Sequence, residues 1–396
     1  MICSGLHMDD SNIAQGTQDI AQGADELRFG CQPYEGECAA RLASLHYMLD
    51  PVRGVVRSHR DLPSFLEHYK VHGPESCYIY TGRGPSTEGM HLGHMLPFMV
   101  TRALQLTLGV RVRILLTDDE KFLFRREHSL ETYQRFAESC REQIMLSGFD
   151  PALTDIYIGS QSIGMFYPTI LKISDKITFN QAASTFGLGN SDSLGKIGFP
   201  AYEMAPCDPR VFGQSADNTA CLIVCAWDQD PFFRLVRDCA GSLGFKKPAL
   251  LHLNYLPALD GSEKMNSTPE GPLAPSAHNN TVIWLTDSTM DISRKIKRHA
   301  FSGGAMTKEL QKLDGANIEV DVACRYMKFF MEDSTALNDT LTQYRTGIIG
   351  SGAVKSMCIE MLTNMLAPYR QAQMERERAE VLRDLERAMT WGNDPK

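Results

Sequence analysis

A chain of 396 residues, 43% hydrophobic and 22% charged, has room for two or three domains with cores of their own. Its net charge of −8 excludes a global attraction to nucleic acid or anionic lipid, so any such contact needs a local basic cluster. No apolar run reaches membrane length, and eleven cysteines without a Cys-x-x-Cys pair argue against a disulfide framework or a zinc site.

Residues 1–26 are polar and acidic, unlike a secretory signal or an arginine-rich transit peptide. They are expected to be disordered or partner-dependent, and the protein to be cytoplasmic. Short elements are expected up to about residue 75. From Cys77 onward strand-like and helix-like segments alternate. "CYIYT" reads as a strand, 91–108 as a helix, "RVRILLT" as a strand and 130–147 as a helix. "TDIYIG" is a strand followed by helical runs through 164–186; "ACLIVCAW", with Cys221 and Cys225 as core thiols, is a strand. A helix over 230–243 and the strand "ALLHLNYL" complete the series. Near-continuous apolar strands in β-α alternation predict an α/β fold, a doubly wound parallel sheet. Beyond the Gly/Pro/Ser-rich stretch "LDGSEKMNSTPEGPLAPSAHNNT" the pattern becomes helical over 291–302, 319–333, 336–346 and 353–390. The expected domains are an N-terminal extension over 1–50, a Rossmann-like catalytic domain over 51–285 and an all-helical domain over 286–396.

Ligands in doubly wound folds bind beyond the carboxyl ends of the strands. Tyr80, Thr81, Thr117, Asp118, Asp228 and Gln229 stand at such ends. "TGRGPSTEGMHLGH", 81–94, is a strand-to-helix turn, where backbone N–H groups and the helix dipole favour an anion. The spacing of Gly82, Gly84 and Gly89 is not the dinucleotide fingerprint, and no Lys-Ser/Thr pair ends a P-loop. His91 and His94, three apart, share one face of the first helical turn, with Gly93 between them leaving bare backbone for a flat ring. Two satisfied or exposed histidines at a helix start are the alternative. In "GSEKMNST", Lys264 could close over a phosphate from a mobile loop, or be a solvated lysine. "AWDQD" offers Asp228 and Gln229 to a ribose or an amine; the carboxylates of "TDDEK" suit an amino group or a metal-bound phosphate.

"HLGH" with "KMNST" resembles the paired HIGH and KMSKS motifs of class I aminoacyl-tRNA synthetases. "YTGRGPSTEGMHLGHMLPF", "TDDEK", "FNQ", "KIGFPA", "DQDPFFR", "KPALLH", "HAFSGG" and "FFMED" resemble, in order, the tryptophanyl-tRNA synthetases of the eukaryotic cytosolic type. The similarity runs from about Leu27 to the last helix, without the N-terminal helical hairpin of many eukaryotic members. The resemblance implies a tryptophan–tRNA ligase using ATP with Mg2+, L-tryptophan and tRNA(Trp), with no protein-bound metal. It implies that His91, His94, Lys264, Thr81, Arg83, Met265 and the backbone of Gly82 and Gly93 hold ATP, with Asp228 on its ribose. Tyr80, Glu120, Glu203, Gln229 and Phe233 would form the tryptophan site. A homodimer is implied too, with the apolar helix after His94 supplying surface for a partner.

Three departures bear on detail. Leu115 replaces a glutamine that helps read the indole N–H, Glu203 replaces a glutamine, and Asn266 replaces the first serine of the lysine motif before a longer loop. Arg294, Lys295, Lys297 and Arg298 form either the local basic cluster that an acidic chain needs to bind tRNA or a solvated basic helix face. A tyrosyl-tRNA synthetase is the nearest alternative. A small nucleotidyltransferase is disfavoured by the helical domain, and a non-catalytic signalling protein by the joint presence of His91, His94, Lys264, Asp228 and Gln229.

Overall fold

The computed structural model of the chain describes residues 30–265 and 280–391. The N-terminal segment expected to be disordered, and Asn266 with most of the loop after it, lie outside these residues. The described residues form two compact units, 30–88 with 93–256, and 89–92 with 257–265 and 280–391.

The first unit is built on a sheet of β1 (Gln32–Pro33), β2 (Val56–Arg60), β3 (Cys77–Arg83), β4 (Arg111–Leu116), β5 (Thr154–Ile158), β6 (Ala220–Ala226) and β7 (Ala249–Leu253). Its order is β1-β2-β7-β6-β3-β4-β5. The five strands from β7 to β5 are parallel, as the apolar runs predict. Every residue of β3, β6 and β7 is buried, the pattern of strands covered on both faces. The antiparallel pair β1 and β2 was not read from the sequence. "VRSHR" has no apolar alternation, and β2 is nevertheless mostly buried because its polar side chains find partners on neighbouring elements.

The chain runs outward from β3 through β4 to β5, then returns to the other side of β3 as β6. That reversal opens a crevice beyond the carboxyl ends of β3 and β6. Thr81 Oγ1 donates to the Val224 carbonyl at 2.8 Å, tying the two strands together close to that point.

The helices of this unit are α1 (Gly36–Ala43), α2 (Leu62–His72), α3 (Leu92–Leu108, entered from the other unit), α4 (Asp118–Arg125) and α5 (Leu130–Met145). They continue with α6 (Gly159–Ser174), α7 (Phe179–Phe186), α8 (Leu194–Met204) and α9 (Asp230–Leu243). Ser129 caps α5 on the Thr132 amide, and Thr178 with Gln181 makes a capping box on α7. Helix α8 escapes sequence reading because "LGKIGFPAYEM" carries two glycines and a proline. A Cβ at Gly195 would press on the tip of the Leu123 side chain, which would have to shift. Along α3 the large apolar side chains are buried except Leu106 and, in part, Met99. The surplus surface expected on this helix for a second subunit is therefore not available.

Beyond residue 286 the described residues are helical: α10 (Thr289–His299), α11 (Lys308–Asp314), α12 (Val322–Phe330), α13 (Ser334–Arg345), α14 (Ser351–Met365) and α15 (Ala367–Trp391). The single helix expected over 353–390 breaks at Leu366, because Pro368 has no N–H for a continuous ladder. Asp321 organises this unit. It caps α12 on the Cys324 amide at 3.1 Å, accepts from the Gly303 amide at 2.9 Å and from the Tyr344 hydroxyl at 3.0 Å. Gly315 has φ +70°, and a Cβ there would overlap the Arg345 carbonyl oxygen. Gly315→Ala should therefore destabilise the protein by more than the roughly 1–2 kcal/mol that a left-handed φ alone costs a side-chain-bearing residue. Denaturant unfolding of the variant against the parent protein checks this.

Candidate functional site

The candidate site in the first unit is built on β3 and on the turns after β4 and β6; β3 runs on to Arg83, so Tyr80 and Thr81 stand within the strand rather than at its end. Tyr80 is fully buried; its hydroxyl donates to the Glu203 carbonyl at 2.9 Å, and its ring meets Phe233 edge-on at 6.1 Å. Phe233 lies on the first turn of α9, and Leu115 joins Tyr80 and Phe233 in one apolar cluster. The structure thus brings Tyr80, Glu203 and Phe233 together, with Leu115 where the resemblance leads one to expect a glutamine. Leu115, Thr117, Asp119 and Tyr202 help line a cavity of 10 Å³, about the space of one water molecule.

The end of β4 holds the carboxylates of "TDDEK". Asp118 accepts from the backbone amide of Ser160 at 2.9 Å and from its hydroxyl. Burial beside Asp118 pushes Asp119 up to about 7. Glu120 is buried and raised by that burial; it accepts from Lys121 Nζ at 3.0 Å and from the Thr117 hydroxyl at 3.2 Å. The fully buried Lys121 was not singled out from the sequence, although its place after three acids was a signal. A Cβ on Gly84 would overlap both Lys121 Cε and Glu120 Oε2, so a glycine lets this pair sit against the β3 turn. Arg83 turns inward: its Nη1 lies 3.2 Å from Cys140 Sγ, Nε and Nη2 have no hydrogen-bond partner, and burial lowers its pKa.

Beyond β6, Trp227–Gln229 form one 3-10 turn leading directly into α9. Gln229 is buried and Asp228 half-buried. Gly93 and the buried His94 stand in the first turn of α3. A cavity of 720 Å³ between Phe122, Ile163, Phe179 and Tyr202 shares Asp119, Ile163 and Tyr202 with the small one and has none of the assigned residues in its wall.

In the second unit, His91 is buried, pairs through its backbone with Trp284 and meets the Trp284 ring edge-on at 5.6 Å. Met90 and Leu92 exchange hydrogen bonds with Leu285 and Ile283 at 2.9 Å. The two histidines of "HLGH" thus fall in different units. Lys264 is half-buried and Met265 buried. Within the basic cluster Lys295 departs from the sequence expectation. It is buried, with Nζ 2.6 Å from Asp287 Oδ2 and 2.9 Å from the Val282 carbonyl. Burial drives both members of that pair toward neutrality, raising Asp287 and lowering Lys295. Its ammonium holds the fold, whereas Arg294, Lys297 and Arg298 are exposed. Arg294 is engaged with Asp291 and Asn280, and Lys297 and Arg298 also suit the negative end of the α10 dipole.

Comparison with known proteins adds an independent line. The family described as tRNA synthetases class I (W and Y) matches residues 221–367. The cytoplasmic tryptophan–tRNA ligase of Schizosaccharomyces pombe is 41% identical over 346 residues, 86% of this chain and 85% of its own. The cytoplasmic human tryptophan–tRNA ligase is 38% identical over 361 residues, covering 88% of this chain and 74% of its own. The crystal structure of a tryptophanyl-tRNA synthetase from Encephalitozoon cuniculi, bound to tryptophan, superposes with a TM-score of 0.79 at 35% identity, over 89% of this chain and 94% of that one.

Asp119 gives a test of the electrostatics. Its folded-state pKa lies near 7, above the roughly 3.9 of an unfolded aspartate, so the native state binds the proton more tightly and stability falls as pH rises between these values. Asparagine removes that titration while its side-chain oxygen can still accept from the Glu120 amide, as Asp119 does at 2.9 Å. The melting temperature of Asp119→Asn minus that of the parent should rise from pH 4 to pH 7 and level off above it.

Proposed function

Because the chain belongs to the tryptophan–tRNA ligases of the class I aminoacyl-tRNA synthetases, we propose that it joins L-tryptophan to tRNA(Trp) through an enzyme-bound adenylate. The tryptophan carboxylate attacks the α-phosphorus of ATP, a mixed anhydride forms, and pyrophosphate leaves with the electrons of the broken P–O bond. A hydroxyl of the 3′-terminal ribose then attacks the activated carbonyl, loses its proton and displaces AMP. The protein forms no covalent intermediate and works by positioning and charge stabilisation.

The juxtaposition of Tyr80, the Glu203 carbonyl and Phe233 is the observation that carries this reading. A hydroxyl has one proton, and Tyr80 gives it to Glu203, so toward a further ligand its oxygen acts as an acceptor. An indole N–H is such a donor, and Phe233 presents an aromatic wall for the ring. With apolar Leu115 in place of the glutamine, Tyr80 becomes the principal reader of the N–H. Gln229, Glu120 and the Glu203 carboxylate are the groups proposed for the amino end of the substrate.

Asp228 is proposed for the ATP ribose, and Thr81, Gly82, Gly93 and His94 for the nucleotide and its phosphates. His91, Lys264 and Met265 are assigned to the same ligand on motif resemblance. Arg83 is the weakest of these assignments, because its guanidinium is turned toward Cys140. The carboxylates after β4 do not make a ready cage for Mg2+, being engaged with Ser160, Lys121 and Thr117. Mg2+ is therefore proposed to arrive on the triphosphate. Arg294, Lys297 and Arg298 are proposed to meet tRNA phosphates. A two-fold dimer is proposed too, its surface sought away from α3, for example at the exposed Tyr167 and Leu171 of α6. The cytoplasmic relatives support placing the chain in the cytoplasm. Their tryptophan names disfavour the tyrosyl alternative.

The deciding experiment is amino-acid-dependent ATP–pyrophosphate exchange, expected with tryptophan and absent with tyrosine. Exchange with tyrosine alone would overturn the assignment. Lys264→Ala should slow adenylate formation by about 10²-fold or more, the scale of one lost transition-state contact, with tryptophan affinity little changed. Tyr80→Phe should narrow the discrimination between tryptophan and its benzothiophene analogue, which has no N–H to give. Equal discrimination before and after the change would remove Tyr80 as the reader.

A further inference from the structure

The turn Trp227–Gln229 is short, partly buried and joined to a helix whose first residue, Asp230, has no assigned role. At the first turn of a helix a carboxylate could have stayed with the free amides. Instead the Asp230 carboxylate is held across the sheet edge. Arg60 places Nε 2.5 Å from Oδ1 and Nη2 2.7 Å from Oδ2, a two-pronged contact, with both side chains largely buried. His252 Nε2 lies 3.2 Å from Oδ1, while its Nδ1 lies 2.9 Å from Ser58 Oγ. Arg60 and Ser58 belong to β2 and His252 to β7, with Ser58 and His252 opposite each other in the antiparallel ladder.

The other flank of the turn is held from the same edge. The Arg57 guanidinium sits 4.8 Å from the centre of the Trp227 ring, and Tyr255 lies 6.0 Å from it. The β2–β7 register shifts between Val56 and Ser58, so Arg57 sits at a bulge, a device that re-aims a side chain.

Two other readings of the cluster are weaker. Cys31, Asp230 and His252 present ligand atoms within 4.8 Å of one another and could suggest a metal site. Both carboxylate oxygens, however, already face the Arg60 guanidinium, which would repel a cation. Simple fold stabilisation is also poor ground for a buried ion pair, since apolar replacements are often as stable. What the pair supplies that an apolar contact does not is direction.

We infer that Arg60 and His252 are positioning residues which, through Asp230, hold the turn bearing Asp228 and Gln229 in register with the crevice. This rests on the site reading above, in which Asp228 takes the ATP ribose and Gln229 the amino acid. Against burial, which works the other way, Arg60 and His252 hold the Asp230 carboxyl well below the usual carboxylate range, so it faces the Arg60 guanidinium as a carboxylate through the neutral range. Misplacement of about an ångström at such a turn costs on the order of 10²-fold in rate.

The test uses the full chain in tryptophan-dependent pyrophosphate exchange, reading KM for ATP, KM for tryptophan, kcat and melting temperature. Arg60→Met should lower the melting temperature and cut kcat/KM by about 10²-fold, because it takes the two-pronged partner from the buried Asp230 carboxylate and leaves the turn undirected. Arg60→Met combined with Asp230→Leu removes both charges. It should recover the melting temperature while both KM values stay raised. Arg60→Lys keeps the charge but loses the fork, and should raise both KM values with little loss of stability. A double variant with parental stability and parental KM values would overturn the inference, as would parental KM values in Arg60→Lys. Asp228→Ala separates the two levels of the argument. An unchanged KM for ATP in that variant would remove the ribose assignment itself, whereas a raised KM there beside parental values in the double variant would remove the clamp alone.

Discussion

The pairing of β3 with β4 on one side and β6 on the other is the constraint on which the rest depends. Because the chain reaches β6 only after building β4 and β5, loops of opposite winding part at this place. The Thr81 hydroxyl on the Val224 carbonyl closes the seam below the opening. Tyr80 comes from one strand; Asp228, Gln229 and Phe233 follow the other. Residues some 150 positions apart meet because two buried strands lie one hydrogen-bond spacing apart.

Around this seam the fold places charge where apolar packing would be easier. Lys121 with Glu120, and Arg60 with Asp230, are ion pairs taken largely out of water. Each lies beside a strand end rather than in the middle of the sheet. Buried pairs of this kind add little net stability, and their geometry is their use. Lys121 and Glu120 lie close against Gly84, fixing the turn after β3, while Arg60 and Asp230 fix the turn after β6. The same logic holds in the helical unit, where Lys295 ties Asp287 to the Val282 carbonyl beside the segment that pairs with His91.

Local sequence signals match the structure where burial is uniform. The strands of the parallel sheet are near-continuous apolar runs, and the long helices carry caps at Ser129, Ser288 and Asp333. The readings failed where polar residues are buried in pairs. Strand β2 looks like a polar connector until Arg60 and Ser58 are seen against Asp230 and His252. Helix α8 looks like a loop because Gly195, Gly198 and Pro200 lower its helix propensity, and it forms against the packing of its buried Phe199, Ala201 and Met204. Lys295 looked as available as its neighbours, since spacing in a helix tells which face a residue takes but not whether that face is covered.

The sequence by itself determined the parallel α/β class, the polar groups Asp118, Asp228 and Gln229 just beyond β4 and β6, and the motif pair that points to a class I synthetase. Each of these is written in a contiguous stretch, in apolar period or in glycine spacing. Tertiary structure alone decided that the Tyr80 hydroxyl is spent on Glu203, that Arg83 and Lys295 face inward, and that β2 and β7 hold the turn after β6. These depend on pairings between residues far apart in the chain, whose partners no local pattern encodes. A polar side chain reads the same in sequence whether it meets water, a ligand or a buried counter-charge, and only packing distinguishes the three.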